Sequence, residues 1–155
     1  MRLTLHTDYA LRTLIYLAVH PGDRVRIQEI SSAYGISHHH LTKVVQQLQH
    51  NGFSHTVRGK GGGISLAMSP ADIRVGAGTR ALEPADQLVE GFHQAGVCAI
   101  DGQCALTGAL RRATEAFLTS LDEVSLQKLI HNRGNALRDR LGLTLIASSD
   151  GNTSH

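Results

Sequence analysis

A chain of 155 residues with 41% hydrophobic content can bury one modest core, or one core with an extended appendage. Aromatic residues make up only 4% and Trp is absent, which points to an aliphatic, helical core. No apolar run approaches the ~18 residues of a membrane span, and Met1-Arg2-Leu3-Thr4-Leu5-His6 lacks the long apolar segment of a secretory signal, so the expected location is the cytoplasm.

The formal net charge of +2 is unevenly spread. Residues 1–70 carry seven basic and three acidic side chains, whereas residues 71–155 carry eight and ten. A basic N-terminal half suits a polyanion such as DNA, although ordinary surface charge also produces differences of this size. The two cysteines, Cys98 and Cys104, have five residues between them. In a reducing compartment they are thiols or metal ligands rather than a structural disulfide.

In chain order, Thr7 to His20 reads as a first helix, capped by Thr7, with Asp8 at the positive end of the dipole. Ala10, Leu14, Leu17 and Ala18 form its apolar stripe, widened by Leu11 and Ile15. Pro21-Gly22-Asp23 stops it. Ile27 to Tyr34 is a short second helix, Gly35 its left-handed stop, and Ile36 a core plug. Ser37 then caps a third helix, His38 to Gln49, whose Leu41, Val44, Val45 and Leu48 recur at the spacing of one buried face. The opposite face shows His39, Lys43 and Gln46, flanked by His38 and Thr42. Such side chains donate to phosphates and base edges, and they also suit a plain solvated face.

Phe53 to Arg58 and Ile64 to Ala67 have strand character, and Gly59-Lys60-Gly61-Gly62-Gly63 joins them. The glycine run lacks the Gly-Lys-Ser/Thr ending of a nucleotide-binding loop. Coming just after a polar-faced helix, it reads as a wing with a flexible basic tip, with Arg58 and Lys60 as its charged contacts. A hairpin without a partner is the alternative. Arg74 to Leu82 is a further short helix, ended by Glu83-Pro84.

Residues 85–104 form a loop-rich segment holding Gly91, His93, Cys98 and Cys104. A strong helix, Ala105 to Leu121, follows with Leu106, Ala109, Leu110, Ala113, Phe117 and Leu121 on its apolar side. A second copy of the same helix would bury that stripe. Ser125 caps a last short helix to Ile130, and residues 131–155 read as a flexible tail, although the apolar run from Leu141 to Ile146 has the character to dock. The expected fold class is mainly α with a small β-wing. A winged helix-turn-helix DNA-binding domain covers residues 1–84, and a dimerisation helix with a short terminal helix covers 105–130. No catalytic role is expected, because Ser, His and Asp occur in no triad or nucleophile-elbow setting.

Several stretches together resemble a known family. Leu3-Thr4 with Asp8-Tyr9-Ala10-Leu11-Arg12, Tyr34-Gly35-Ile36-Ser37, Val57-Arg58-Gly59-Lys60-Gly61-Gly62-Gly63-Ile64 and Arg80-Ala81-Leu82-Glu83-Pro84 are similar to the iron–sulfur winged-helix regulators of the IscR/NsrR type. The nitric-oxide-sensing repressors among them are the nearer likeness, supported by Leu88-Val89-Glu90, Cys98-Ala99-Ile100 and Cys104-Ala105-Leu106. The resemblance spans roughly residues 1–130.

It implies a homodimeric repressor on a palindromic double-stranded operator. Ser37, His38, His39, Thr42, Lys43, Gln46, Arg58 and Lys60 fall on its DNA-reading helix and wing. It further implies an iron–sulfur cluster (2Fe–2S or 4Fe–4S), nitric oxide as effector, and release of DNA when the cluster is attacked. In this family three cysteines and an aspartate near the N-terminus ligate the cluster. Asp8 matches the aspartate, and Cys98 and Cys104 match the second and third cysteines. The first is replaced: Glu90-Gly91-Phe92 puts Gly91 where a thiolate is expected. His93 is near enough in sequence to substitute. A mixed Cys/His/carboxylate set is compatible with cluster chemistry and should hold a cubane less tightly. The alternative is a clusterless regulator that works through the Cys98 and Cys104 thiols, as a redox pair or with another metal.

Overall fold

A computed structural model describes residues 3–83, 105–131 and 133–141. Its elements are α1 (Leu5–Ala18), α2 (Ile27–Tyr34), α3 (His38–His50), β1 (Ser54–Val57), β2 (Gly63–Leu66), α4 (Val75–Leu82), α5 (Ala105–Asp122), α6 (Leu126–Ile130) and α7 (Gly134–Arg140). Cys98, Cys104, His93 and Gly91 lie outside the described residues.

The first helix starts earlier than its sequence suggested. Thr4 has the extended backbone a cap requires, and its hydroxyl accepts the Thr7 N–H at 3.2 Å. Thr7, expected as the cap, is instead fully buried inside the helix. The Thr4 N–H is taken in turn by the Glu83 carboxylate at 2.5 Å, so the end of α4 holds the start of α1.

Two apolar clusters make the core. Ala10, Leu14 and Ala18 of α1 meet Val44 and Leu48 of α3, with Phe53, Ile73, Leu82 and Leu126 around them. Tyr16 and Leu17 meet Ile30, Ile36, Leu41, Val45, Val25 and Ile64 in the second cluster. Helix α3 therefore feeds both clusters through two pairs at i, i+4 spacing, 41 with 45 and 44 with 48. That double anchorage fixes its rotation and turns its polar side outward. Gly35, at φ +65°, makes the left-handed turn between α2 and α3, and the Ile36 N–H bonds back to Ser31 O at 3.2 Å.

The tyrosines of the second cluster are pushed toward their neutral forms. Burial raises Tyr34 to about 12, with Arg12 opposing the shift and Tyr16 adding to it. Burial, then Glu29, raises Tyr16. A raised folded-state value means that the native state holds its proton longer than the unfolded chain does. The contribution is complete below the ordinary tyrosine value of about 10, and it is lost as pH rises to about 12. Denaturation midpoints followed by circular dichroism should be flat up to the lower value and fall across that window. A Tyr34→Phe variant should show a shallower fall.

The end of the domain comes from distant sequence. Val75 N–H bonds to Val124 O and Leu126 N–H to Ile73 O, and Leu126 enters the first cluster beside α1. The short helix α6, grouped by its sequence with the dimerisation helix, is thus part of the N-terminal core. Arg80 ties α4 to α5 by donating to both Asp122 oxygens at 2.6–2.7 Å. Gly76 allows that approach, since a Cβ there would fall 2.7 Å from the Asp122 backbone nitrogen. The tail segment contains a helix that its polar composition concealed. In α7, Arg138 donates to Val19 O at 2.7 Å, and Leu141 packs on the second cluster.

Candidate nucleic-acid interface

Ser37 accepts the His40 N–H at 3.3 Å, which starts α3 and commits one lone pair of the hydroxyl to the helix end. Thr42 donates to His38 O at 2.9 Å and is half-buried. His38, His39, Lys43 and Gln46 are exposed. These residues share one side of α3, as their spacing implied. His40, which completes the histidine run, turns toward Tyr9 instead, with ring centroids 6.1 Å apart.

The wing is tighter than a flexible glycine run suggests. β1 and β2 pair antiparallel from Ser54↔Leu66 to Val57↔Gly63. At the tip, the Gly62 N–H donates to Gly59 O at 2.9 Å and closes a turn. A Cβ on Gly62 would lie 2.3 Å from Val57 O, so no other residue fits that turn as it stands. The open edge of β2 is covered by Val25, whose N–H and C=O both bond to Ile64, at 2.9 and 2.7 Å. Arg24 reaches further along the wing and donates to Gly61 O at 3.2 Å. Arg58 and Lys60 stand exposed at the tip.

A groove of about 340 Å³ separates the wing from the starts of α2 and α3. His38 lines it on one side, Thr56, Val57 and Gly62 on the other, and Arg26 and Gln28 along the floor of α2. Of the helix and wing residues singled out from sequence, only His38 lines this groove; the others are placed on α3 and at the wing tip outside its lining. Arg24, Arg26 and Thr56 were not singled out. The basic bias of residues 1–70 was the only sign of the two arginines, because their placement depends on Val25 pairing with a strand far along the chain.

For the metal ligands, only Asp8 is described. It sits in the first turn of α1, its carboxylate accepts from Arg12 Nε at 2.8 Å, and the pair is partly exposed. The Arg12 guanidinium lies 6.0 Å from the centre of the Tyr34 ring, at the end of α2. Among the described residues no three His, Cys, Asp or Glu side chains are grouped to hold a metal ion.

Residues 3–132 match the family described as Rrf2, iron-dependent transcriptional regulator. The chain belongs to the Rrf2 family. It is 40% identical over 140 residues to the HTH-type transcriptional regulator NsrR of Bacillus subtilis, covering 89% of this chain and 96% of that one. It is 42% identical over 147 residues to NsrR of Geobacillus kaustophilus, covering 92% and 100%. Among solved structures, CymR of B. subtilis, the global cysteine regulator, superposes with a TM-score of 0.69 at 26% identity, over 85% of this chain and 98% of that one. IscR of T. potens superposes equally well, at 0.69 and 24% identity over 88% and 90%, and so shares the fold. The NsrR relatives are named as transcriptional regulators, and the mostly helical chain with its two-stranded wing is a transcriptional regulator of the Rrf2/NsrR type. No helix among the described residues is long and apolar enough to cross a membrane.

Proposed function

We propose that this Rrf2 protein is a cytoplasmic repressor that binds a palindromic operator as a homodimer. It would release DNA in response to nitric oxide or to redox or iron state, through an iron–sulfur cluster. The observation that supports the DNA-binding part is the order helix, turn, helix, wing: α3 presents His38, His39, Thr42, Lys43 and Gln46 on the side opposite its buried face, and the wing that follows carries Arg58 and Lys60 exposed at its tip. Lys43, Arg58 and Lys60 would hold phosphates, with Ser37 at the positive end of α3. His38, His39, Thr42 and Gln46 would read base edges.

Dimerisation follows from α5. Its own domain buries Leu118 and Thr114, whereas Leu106 stays 53% exposed and Ala109 and Ala113 are exposed. A second α5 would cover that stripe. In this reading residues 1–84 form the DNA-binding domain, 85–104 the cluster loop, and 105–130 the dimer helix with its short successor α6, which packs back on the DNA-binding domain.

The donor set suits a cluster held by few protein ligands. Cys98 and Cys104 supply thiolates. Among the described residues the Asp8 carboxylate is bound by one partly exposed ion pair, which is weak enough to exchange for a metal bond. His93 is the donor available for the position that Gly91 leaves without a side chain. When bound, such a cluster supplies the centre that nitric oxide attacks. The chain's own contribution is positional. Asp8 engages Arg12, Arg12 reaches Tyr34, and Tyr34 precedes the Gly35–Ser37 turn into α3. Freeing or occupying Asp8 thereby bears on the orientation of α3.

Asp8→Ala is expected to leave DNA binding intact while removing its dependence on cluster state. Anisotropy titrations of cluster-loaded and cluster-free protein, with and without nitric oxide, measure this, and unchanged nitric oxide sensitivity in the variant would count against it. A clusterless regulator working through the two thiols is the second reading, favoured by Gly91 in place of a thiolate. Anaerobic purification followed by visible absorbance and iron and sulfide assay separates the two. Protein that stays colourless and iron-free after reconstitution supports the second.

A further inference from the structure

We propose that Arg24 is a positioning residue for DNA binding, one that locks the wing tip into its DNA-ready shape from behind; this rests on the reading of the wing as a DNA contact. Four observations converge on it. The Arg24 guanidinium donates to Gly61 O at the tip, 37 residues further along the chain. Its neighbour Val25 makes both backbone bonds to Ile64, which fixes where the Arg24 side chain starts. Gly63 lies flush against this short segment, since a Cβ there would fall 2.9 Å from Val25 O and 3.0 Å from Arg24 Cβ. The tip contains Gly59, Gly61 and Gly62, residues with the greatest conformational entropy to lose on ordering.

A tip of that composition would sample many shapes if it were held only by its own turn. Arg58 and Lys60 would then be ordered at the moment of binding, at a cost to affinity. A guanidinium hydrogen bond from a rigid neighbouring segment removes that freedom beforehand. Arg24 therefore acts through Gly61 and leaves the phosphates to Arg58 and Lys60. A charged side chain beside a wing could equally be a phosphate contact itself, and the two roles differ in salt dependence. Removing a phosphate contact lowers the slope of log K against log salt by about 0.9, whereas removing a brace leaves the slope unchanged.

The test uses the full-length protein, its Arg24→Ala variant, and Arg58→Ala as the phosphate-contact reference. The first measurement is amide hydrogen exchange at Gly61 and Gly62 without DNA. The second is operator affinity across a salt series. Faster exchange of the Gly62 amide in Arg24→Ala, about fivefold weaker binding, as loss of one hydrogen bond implies, and the wild-type salt slope are expected. An unchanged Gly62 exchange rate overturns the brace, and a slope lowered as in Arg58→Ala makes Arg24 a direct phosphate contact instead. Arg24→Gln, which keeps a donor without the charge, should recover part of the protection, and no recovery with a lowered slope also argues for the direct contact. Failure of the interface reading is distinct, because the wild-type chain would then show no operator binding whatever the exchange rates.

Discussion

Replacing Arg58 and Lys60 together with alanine should weaken operator binding by about two orders of magnitude, taking each charged hydrogen bond as worth at least 1.4 kcal/mol. Both side chains are exposed at a wing tip whose backbone is fixed by the Gly59–Gly62 turn and by the Val25–Ile64 pairing. Their removal should leave folding untouched. The diagnostic quantity is the salt dependence. Two fewer phosphate contacts lower the slope of log K against log salt by about 1.8. Loss of affinity should be nearly equal for specific and scrambled DNA, because phosphates carry no sequence. Gln46→Ala or His39→Ala should do the reverse, shifting base preference with little change in slope. An unchanged slope in the double variant would move the wing away from the DNA backbone.

Leu14→Ala should destabilise the domain by about 2–5 kcal/mol. Leu14 is fully buried in the cluster that joins α1, α3, α4 and α6, so its truncation leaves a cavity inside that cluster. Small domains have only about 5–15 kcal/mol of stability in total, so a lower urea midpoint at unchanged slope is the expected result. Leu106→Ala is the informative contrast. That side chain is 53% exposed in the single chain, so its truncation should cost little in a monomer. If α5 pairs with a second copy, the same change should weaken the dimer and lower stability at a given protein concentration, a loss that a higher concentration offsets.

Much of the fold was legible because its signals are local. Gly35 stops α2, Ser37 caps α3 and Ser125 caps α6, each with the bond that its residue type suggests within a few positions. The apolar spacing of α3 correctly gave its buried face, and with it the polar face opposite. What escaped was fixed by partners far away. Thr4 became the cap of α1 where Thr7 was expected. Glu83, which reads only as a helix end, holds the Thr4 N–H from 79 residues away. The Arg80–Asp122 pair spans 42 residues and cannot be distinguished by sequence from ordinary surface charge. Val25, which bridges to the edge of β2, looks like loop until Ile64 is placed beside it. The polar stretch that became α7 is held by Arg138 and Leu141 against the end of α1, contacts that composition does not reveal.

The candidate site divides along the same line. The elements proposed to meet DNA were legible because a helix face and a hairpin are short-range patterns, and α3 and the β1–β2 hairpin form where those patterns put them. Its sensing half depends on how Cys98, Cys104 and His93 meet Asp8, and of these only Asp8 is among the described residues. There the contribution of the structure is the Asp8–Arg12–Tyr34 path, which joins the proposed ligand Asp8 to the turn that leads into α3.

The most direct test of this account is a binding titration of the purified full-length protein with promoter fragments from its own genome and with scrambled DNA of equal length, in cluster-loaded and cluster-free forms. The account predicts a specific complex at physiological salt at least about 10³-fold tighter than the scrambled one, weakened in parallel on both DNAs by loss of Arg58 and Lys60. Equal affinity for promoter and scrambled DNA in both forms would contradict it.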